Sequence, residues 1–139
     1  MKVEITWKEK MHFETETPTG HTFSFDASPE VGGENLGPRP GEVLLSSVGA
    51  CSGIDIVDIL KKMRLQVETF HMEVSGERAD EYPKRFTKVH MHYVLTGELP
   101  VDKVRRAVQL SVEKYCTVSN SLNAEVTASF EVNGERFEL

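Results

Sequence analysis

Val43-Leu44-Leu45-Ser46-Ser47-Val48-Gly49-Ala50-Cys51-Ser52-Gly53-Ile54 carries apolar or small side chains on nearly every face when wound as a helix. The helical pattern runs from Gly41 to about Leu65, and Pro40 suits a first turn, where its missing N–H costs nothing. A helix apolar all round is a buried one. Gly49 and Gly53 would each cost about 1 kcal/mol against Ala in a free helix, so the pattern predicts close approach of another backbone there. Towards the end, Asp55, Asp58, Lys61, Lys62 and Arg64 form a wetter face, and the cations complement the helix dipole.

Outward from this helix, both flanks read as strands. Val3, Ile5 and Trp7 alternate with polar neighbours, as do Met11 and Phe13, then Phe23 and Phe25, with a turn at Pro18-Thr19-Gly20. Ser28 to Pro40 is rich in Gly and Pro and predicts a long surface loop, either a plain connector or a place for substrate contacts. Beyond the helix, Phe70, Met72 and Val74 alternate, then Val89, Met91, Tyr93 and Leu95. A second helix is predicted from about Val101 to Tyr115, with Asp102 in its first turn. Val126, Ala128, Phe130 and Val132 mark a last strand, and Asn133-Gly134 a turn. The order implies an α+β fold with too few parallel crossovers for a doubly wound sheet.

The chain of 139 residues reads as a single domain over 1–139, long enough for a real core. Its net charge of −6 argues against nucleic acid as a partner, since phosphate binding needs a basic face. Met1-Lys2-Val3-Glu4-Ile5-Thr6 lacks an apolar signal region, and no charge-free apolar run reaches the ~18 residues of a spanning helix. The expectation is a cytoplasmic protein without a membrane partner.

The two cysteines, Cys51 and Cys116, lie on separate helical segments. A thiol pair so placed supports oxidation of one sulfur and disulfide closure by the other. The same residues also read as small core hydrophobes, the common fate of free Cys. In a reducing compartment a cysteine pair is more often catalytic or redox-sensing than a structural staple.

Gly37-Pro38-Arg39-Pro40-Gly41-Glu42-Val43-Leu44-Leu45-Ser46-Ser47-Val48-Gly49-Ala50-Cys51 resembles the OsmC/Ohr family, the osmotically inducible and organic-hydroperoxide-resistance proteins. Tyr115-Cys116-Thr117-Val118-Ser119-Asn120-Ser121-Leu122 resembles that family's second cysteine segment, and the element order matches over essentially the whole chain. The likeness is greatest to the OsmC-like branch. It implies an intertwined homodimer, a long buried central helix wrapped by antiparallel sheets, and sites at the subunit interface. It also implies thiol-dependent reduction of a small organic hydroperoxide, with Cys51 peroxidatic and Cys116 resolving, and an external dithiol resetting the pair. No organic cofactor and no metal are implied. The family's peroxidases activate the thiol with an arginine held by an acidic residue. Arg39 and Glu42 are the candidates here, although Gly41 occupies the usual acidic position and Arg39 lies nearer the helix than the family's arginine. Arg78, Lys84 and Arg85 are alternative cations. A non-catalytic dimeric small-molecule binder or a redox sensor, using the same apolar interface pocket, is the competing reading.

Other polar candidates read more plainly. His90 and His92 flank Met91 and are expected as exposed strand histidines, since no zinc spacing accompanies them. Asp55 and Asp58 are expected on a solvated helix face. Tyr82, Pro83 and Phe86 read equally as pocket closure or as packing. Gly32-Gly33 lacks the Lys-Ser/Thr of a phosphate loop.

Overall fold

A computed structural model describes all residues, Met1–Leu139. The chain falls into two compact units, Met1–Leu44 and Leu45–Leu139.

The first unit is an antiparallel meander of β1 (Glu4–Glu9), β2 (His12–Glu16) and β3 (Thr22–Phe25). The period-two aromatics set its register, Trp7 opposite Phe13 and Phe13 opposite Phe25. The loop after β3 carries one short 3₁₀ turn, Pro29–Val31, and is organised by Asp26. The Asp26 carboxylate accepts from the backbone N–H groups of Ala27 at 2.8 Å and of Glu34 and Leu36, each at 3.1 Å. Burial opposes its charge, but the N–H donors of Leu36, Glu34 and Ala27 outweigh that and hold the carboxyl below its ordinary value. A cleft of about 430 Å³ in this unit is walled by Ile5, Met11, Phe13, Phe25, Ala27 and Pro40.

Helix α1 (Pro40–Lys62) begins in the first unit and continues into the second. The second unit adds β4 (Thr69–Arg78), β5 (Phe86–Thr96), α2 (Val101–Leu110), α3 (Thr117–Asn120), β6 (Glu125–Val132) and β7 (Glu135–Glu138). Its sheet runs β4-β5-β6-β7. Two of its pairs are antiparallel, but β5 and β6 pair in parallel, which corrects the expectation of purely antiparallel sheets. The reason is the connection: a helical crossover through α2 and α3 returns the chain to the same edge it left.

Val89, Met91, Tyr93 and Leu95 of β5 share one buried face with Ala128, Phe130 and Val132 of β6, and with Val48, Ile56 and Leu60 of α1 and Val104, Ala107 and Val108 of α2 they form the core. Burying each large aliphatic side chain here is worth roughly 1.5–3 kcal/mol. The stripe Val48, Ser52, Ile56 and Leu60, one residue per turn, is fully buried, whereas Ile54 and Val57 are 70% and 46% exposed. Within one chain α1 is therefore buried along one face only, not all round. On length and composition α1 passes as a membrane span, which a search for a charge-free run overlooked; its packed stripe is that of a core helix. The two helix glycines face side chains rather than a backbone. A Cβ at Gly53 would meet Met72 Cε at 2.6 Å, and one at Gly49 would meet Val74 Cγ2 at 2.9 Å.

Candidate functional site

Cys51 lies midway along α1, half-buried, while the thiol of Cys116 is fully buried. Both are free thiols, their sulfurs lie within 4.8 Å of one another, and the Cys51 side chain hydrogen-bonds to Cys116. The two thiols are therefore side by side, as the resemblance implied.

The approach of Cys116 depends on an irregular turn. The second predicted helix stops being α-helical at Leu110, and Ser111–Tyr115 form one π-helical turn, where the Cys116 N–H reaches back to the Ser111 carbonyl at 2.8 Å. The wider turn leaves the Val112 carbonyl without its α-helical donor, and Asn120 Nδ2 supplies one at 3.2 Å. Such single π turns recur at functional sites. The Cys116 sulfur then accepts from the Ser119 N–H at 3.5 Å, capping α3. Burial pushes the Cys116 thiol up, against the hydrogen bonds from Ser119 that favour its ionised form.

Asp55 corrects the sequence reading. It was expected on a solvated face, yet it is half-buried, and one carboxylate oxygen lies within 4.8 Å of both sulfurs. Asp55 follows Cys51 by four residues, so the helix brings both side chains to one face. Asp55 Oδ2 accepts from Ser111 Oγ at 3.0 Å. Ser111 Oγ lies 3.0 Å from Ser52 Oγ, and Ser52 hydrogen-bonds to the Tyr93 hydroxyl, which also reaches Met91 Sδ at 3.0 Å. Donation can run in one direction from Tyr93 through Ser52 and Ser111 to the carboxylate. Desolvation pushes the Tyr93 hydroxyl well above its usual range, against its hydrogen bond to Ser52. A buried chain of this kind, with every hydroxyl paired, fixes the positions of its members.

Ser52, Ser111 and Tyr93 escaped the sequence reading, because an isolated Ser or Tyr in an apolar pattern carries no signal of its partners. Asp55 had one available signal, its spacing of four from Cys51. Beside the thiols opens a cleft of about 410 Å³ bordered by Asp55, Asp58, Ile59, Lys62, Leu110 and Tyr115. Its cation, Lys62, is paired with Asp58 at 2.7 Å.

The remaining candidates sit apart from this pair. In the first unit, Arg39 is held by Asn35 Oδ1 at 2.8 Å and the Gly37 carbonyl at 3.2 Å, and Glu42 stands exposed in the first turn of α1. Arg78 donates to the Lys84 carbonyl at 2.8 Å and Arg85 to that of Asn123 at 2.6 Å. Tyr82 is exposed, whereas Phe86 packs at the core's edge. His90 and His92 are half-buried rather than exposed, joined through Ser129 Oγ at 3.0 and 2.8 Å. Pairing across β5 and β6 sets Ser129 directly opposite His92.

Two thiols and a carboxylate support two kinds of chemistry. They can exchange protons and electrons at sulfur, and they offer three donors of the type a thiophilic cation takes.

A family profile described as OsmC-like protein matches residues 32–131. Protein YhfA of Escherichia coli K12 is 37% identical over 135 residues, covering 95% of this chain and 98% of that protein. A crystal structure of an Aquifex aeolicus protein superposes with a TM-score of 0.79 at 33% identity, covering 96% of each chain. An organic hydroperoxide resistance protein OsmC from Legionella pneumophila shares the fold, with a TM-score of 0.72 at 21% identity, covering 94% of this chain and 96% of that one. With the profile spanning most of the chain, both cysteine segments in place and a full-length relative above 30% identity, the chain belongs to the OsmC-like family.

Proposed function

We propose that this protein reduces organic hydroperoxides by a two-cysteine cycle, as one OsmC-like domain over residues 1–139. The observation that carries the reading is the pair of free thiols within 4.8 Å of one another, one of them half-exposed. Cys51 attacks the O–O bond and becomes a sulfenic acid, releasing the alcohol. Cys116 then condenses with it, giving a disulfide and water, and an external dithiol restores both thiols. The family's hydroperoxide-resistance members support a redox role in stress. The cleft beside the thiols, with Ile59 and Leu110 in its wall, suits an alkyl tail, each buried CH₂ of which is worth about 0.8 kcal/mol.

The exposed Ile54 and Val57 on α1 support the homodimer that the family resemblance implies. In that assembly Arg39 and Glu42 are the supporting pair for Cys51, and the working compartment is the reducing cytoplasm. The cycle is tested by adding one equivalent of cumene hydroperoxide to reduced protein and mapping the unreduced digest. The expected product is the Cys51–Cys116 linked peptide, absent in Cys51→Ser; two alkylatable thiols after treatment would refute the cycle. A second reading, a binder of small lipophilic molecules or a redox sensor, is favoured by the apolar cleft of the first unit. It requires ligand affinity that survives Cys51→Ser, or disulfide formation without turnover.

A further inference from the structure

We infer that Asp55 is the proton carrier of both chemical steps, taking the thiol proton from the attacking cysteine and returning it to the departing oxygen. The inference rests on the peroxidase reading above and assigns that site a residue which neither the family resemblance nor the sequence pattern supplied.

The geometry is specific. One Asp55 carboxylate oxygen lies within 4.8 Å of the sulfurs of both Cys51 and Cys116. The carboxylate is also oriented, since Ser111 Oγ donates to it at 3.0 Å from the end of the buried Ser52–Tyr93 chain. Catalytic hydrogen bonds are commonly long before substrate binds and tighten in the complex.

Charge explains why a carboxylate is useful here. Two thiols and a carboxylate crowd into one site, and ionising a thiol beside a carboxylate adds like charge to like. The titratable and charged groups facing the cluster are Asp58, Lys62 and Tyr115 around the cleft and Tyr93 beneath it. The cation among them is engaged by Asp58. Moving the proton from sulfur to Asp55 creates the nucleophile with no change in net charge.

The steps then balance. Cys51 sulfur attacks the distal peroxide oxygen, the S–O bond forms and the O–O bond breaks. The Cys51 proton passes to Asp55 and from it to the alkoxide, so that thiol and hydroperoxide become sulfenic acid and alcohol. In the second step Cys116 sulfur attacks Cys51 sulfur, the S–O bond breaks, and Asp55 relays the Cys116 proton to the leaving hydroxyl, giving disulfide and water. Each thiol contributes one electron to the two-electron reduction. Cys116 needs the base more than most thiols, because it is fully buried.

The test compares Asp55→Asn, Asp58→Asn and the unaltered dimer with cumene hydroperoxide from pH 6 to 9.5, reading Cys51 oxidation and disulfide closure separately by stopped-flow and by dimedone trapping of the sulfenic acid. Asn keeps the shape of Asp55 and the acceptor for Ser111 but carries no proton. The expected result for Asp55→Asn is a ~10²-fold slower oxidation at pH 6, shrinking to a few-fold at pH 9.5 as hydroxide generates the thiolate, with the trapped sulfenic acid persisting. Asp58→Asn should track the unaltered protein. A loss in Asp55→Asn that is equal at every pH would indicate a structural role and overturn the inference, as would no loss at pH 6 or an equal loss in Asp58→Asn. If the unaltered protein forms no disulfide, the peroxidase reading itself fails, an outcome distinct from all of these. Should Asp55→Asn not fold, Ser111→Ala, which only frees the carboxylate, is expected to slow both steps with the same closing of the gap at high pH. Unchanged rates in a folded Ser111→Ala would count against the oriented carrier.

Discussion

Two glycines one turn apart on α1 should answer oppositely to the same substitution. Replacing either by Ala removes about 1 kcal/mol of helix-propensity cost. At Gly53 the new methyl would come to 2.6 Å from Met72 Cε, the far end of a side chain with three rotatable bonds, with Met72 Sδ next at 3.9 Å. Turning that one terminal methyl away costs less than about 1 kcal/mol, the scale of an off-rotamer torsion, so Gly53→Ala should be neutral or stabilising by up to about 1 kcal/mol. At Gly49 the methyl meets Val74 Cγ2 at 2.9 Å and Met72 Sδ at 3.0 Å. Val is stiff at χ1, and the thioether sulfur lies nearer the backbone than the terminal methyl. Overpacking of this kind costs about 1–3 kcal/mol, which exceeds the propensity gain and leaves Gly49→Ala destabilised by about 1 kcal/mol. The two variants should differ by ~2 kcal/mol, or roughly 6 °C in Tm for a chain of this size. Urea and thermal unfolding at fixed protein concentration measure this directly. Equal stability for the two variants would refute the contrast drawn between a yielding and a rigid neighbour.

Other perturbations probe the polar groups. Ser52→Ala and Tyr93→Phe should each destabilise by about 1–2 kcal/mol, because each leaves a buried partner short of a bond, while the double variant should cost less than the sum; a strictly additive double-mutant cycle would deny their coupling. Burial raises the Cys116 thiol, so above the ordinary thiol pKa of 9.0 the unfolded chain loses a proton that the folded chain keeps, and stability should fall with rising pH. Melts at pH 8 and 10 should show that fall weakened in Cys116→Ser. Asp26, held below its ordinary 3.8, contributes stability above that pH that disappears as pH drops through its folded value. Asp26→Asn should therefore lower Tm at pH 7 and converge with the unaltered protein in acid.

Local periodicity carried much of the fold into view. Alternation at Val89, Met91, Tyr93 and Leu95 marked the central strand because its two faces meet such different surroundings, and α1 was visible from its length and small-residue pattern. Strand order was not visible, since alternation reports which face is buried and not which neighbour is paired; the parallel β5–β6 pair depends on the path of α2. Asn133-Gly134 announced a turn, but β7 beyond it, four residues with one half-buried, was too short to register. In the site, the cysteines stood out by rarity, whereas Asp55 was lost among the charges of a helix end. Its role depends on Ser111, fifty-six residues away, which no local pattern connects to it.

The π turn before Cys116 makes the position of that thiol a matter of chain length. Such a turn holds one more residue than an α-helix would use, so deleting any single residue within Ser111–Tyr115 offers the segment a regular helix. Everything beyond the deletion would then rotate by about 100° relative to α2, carrying the Cys116 sulfur off Cys51 with both cysteines still encoded. Among related chains, a one-residue gap at this point would accordingly be a better sign of a lost thiol pair than the presence of cysteine is of a working one.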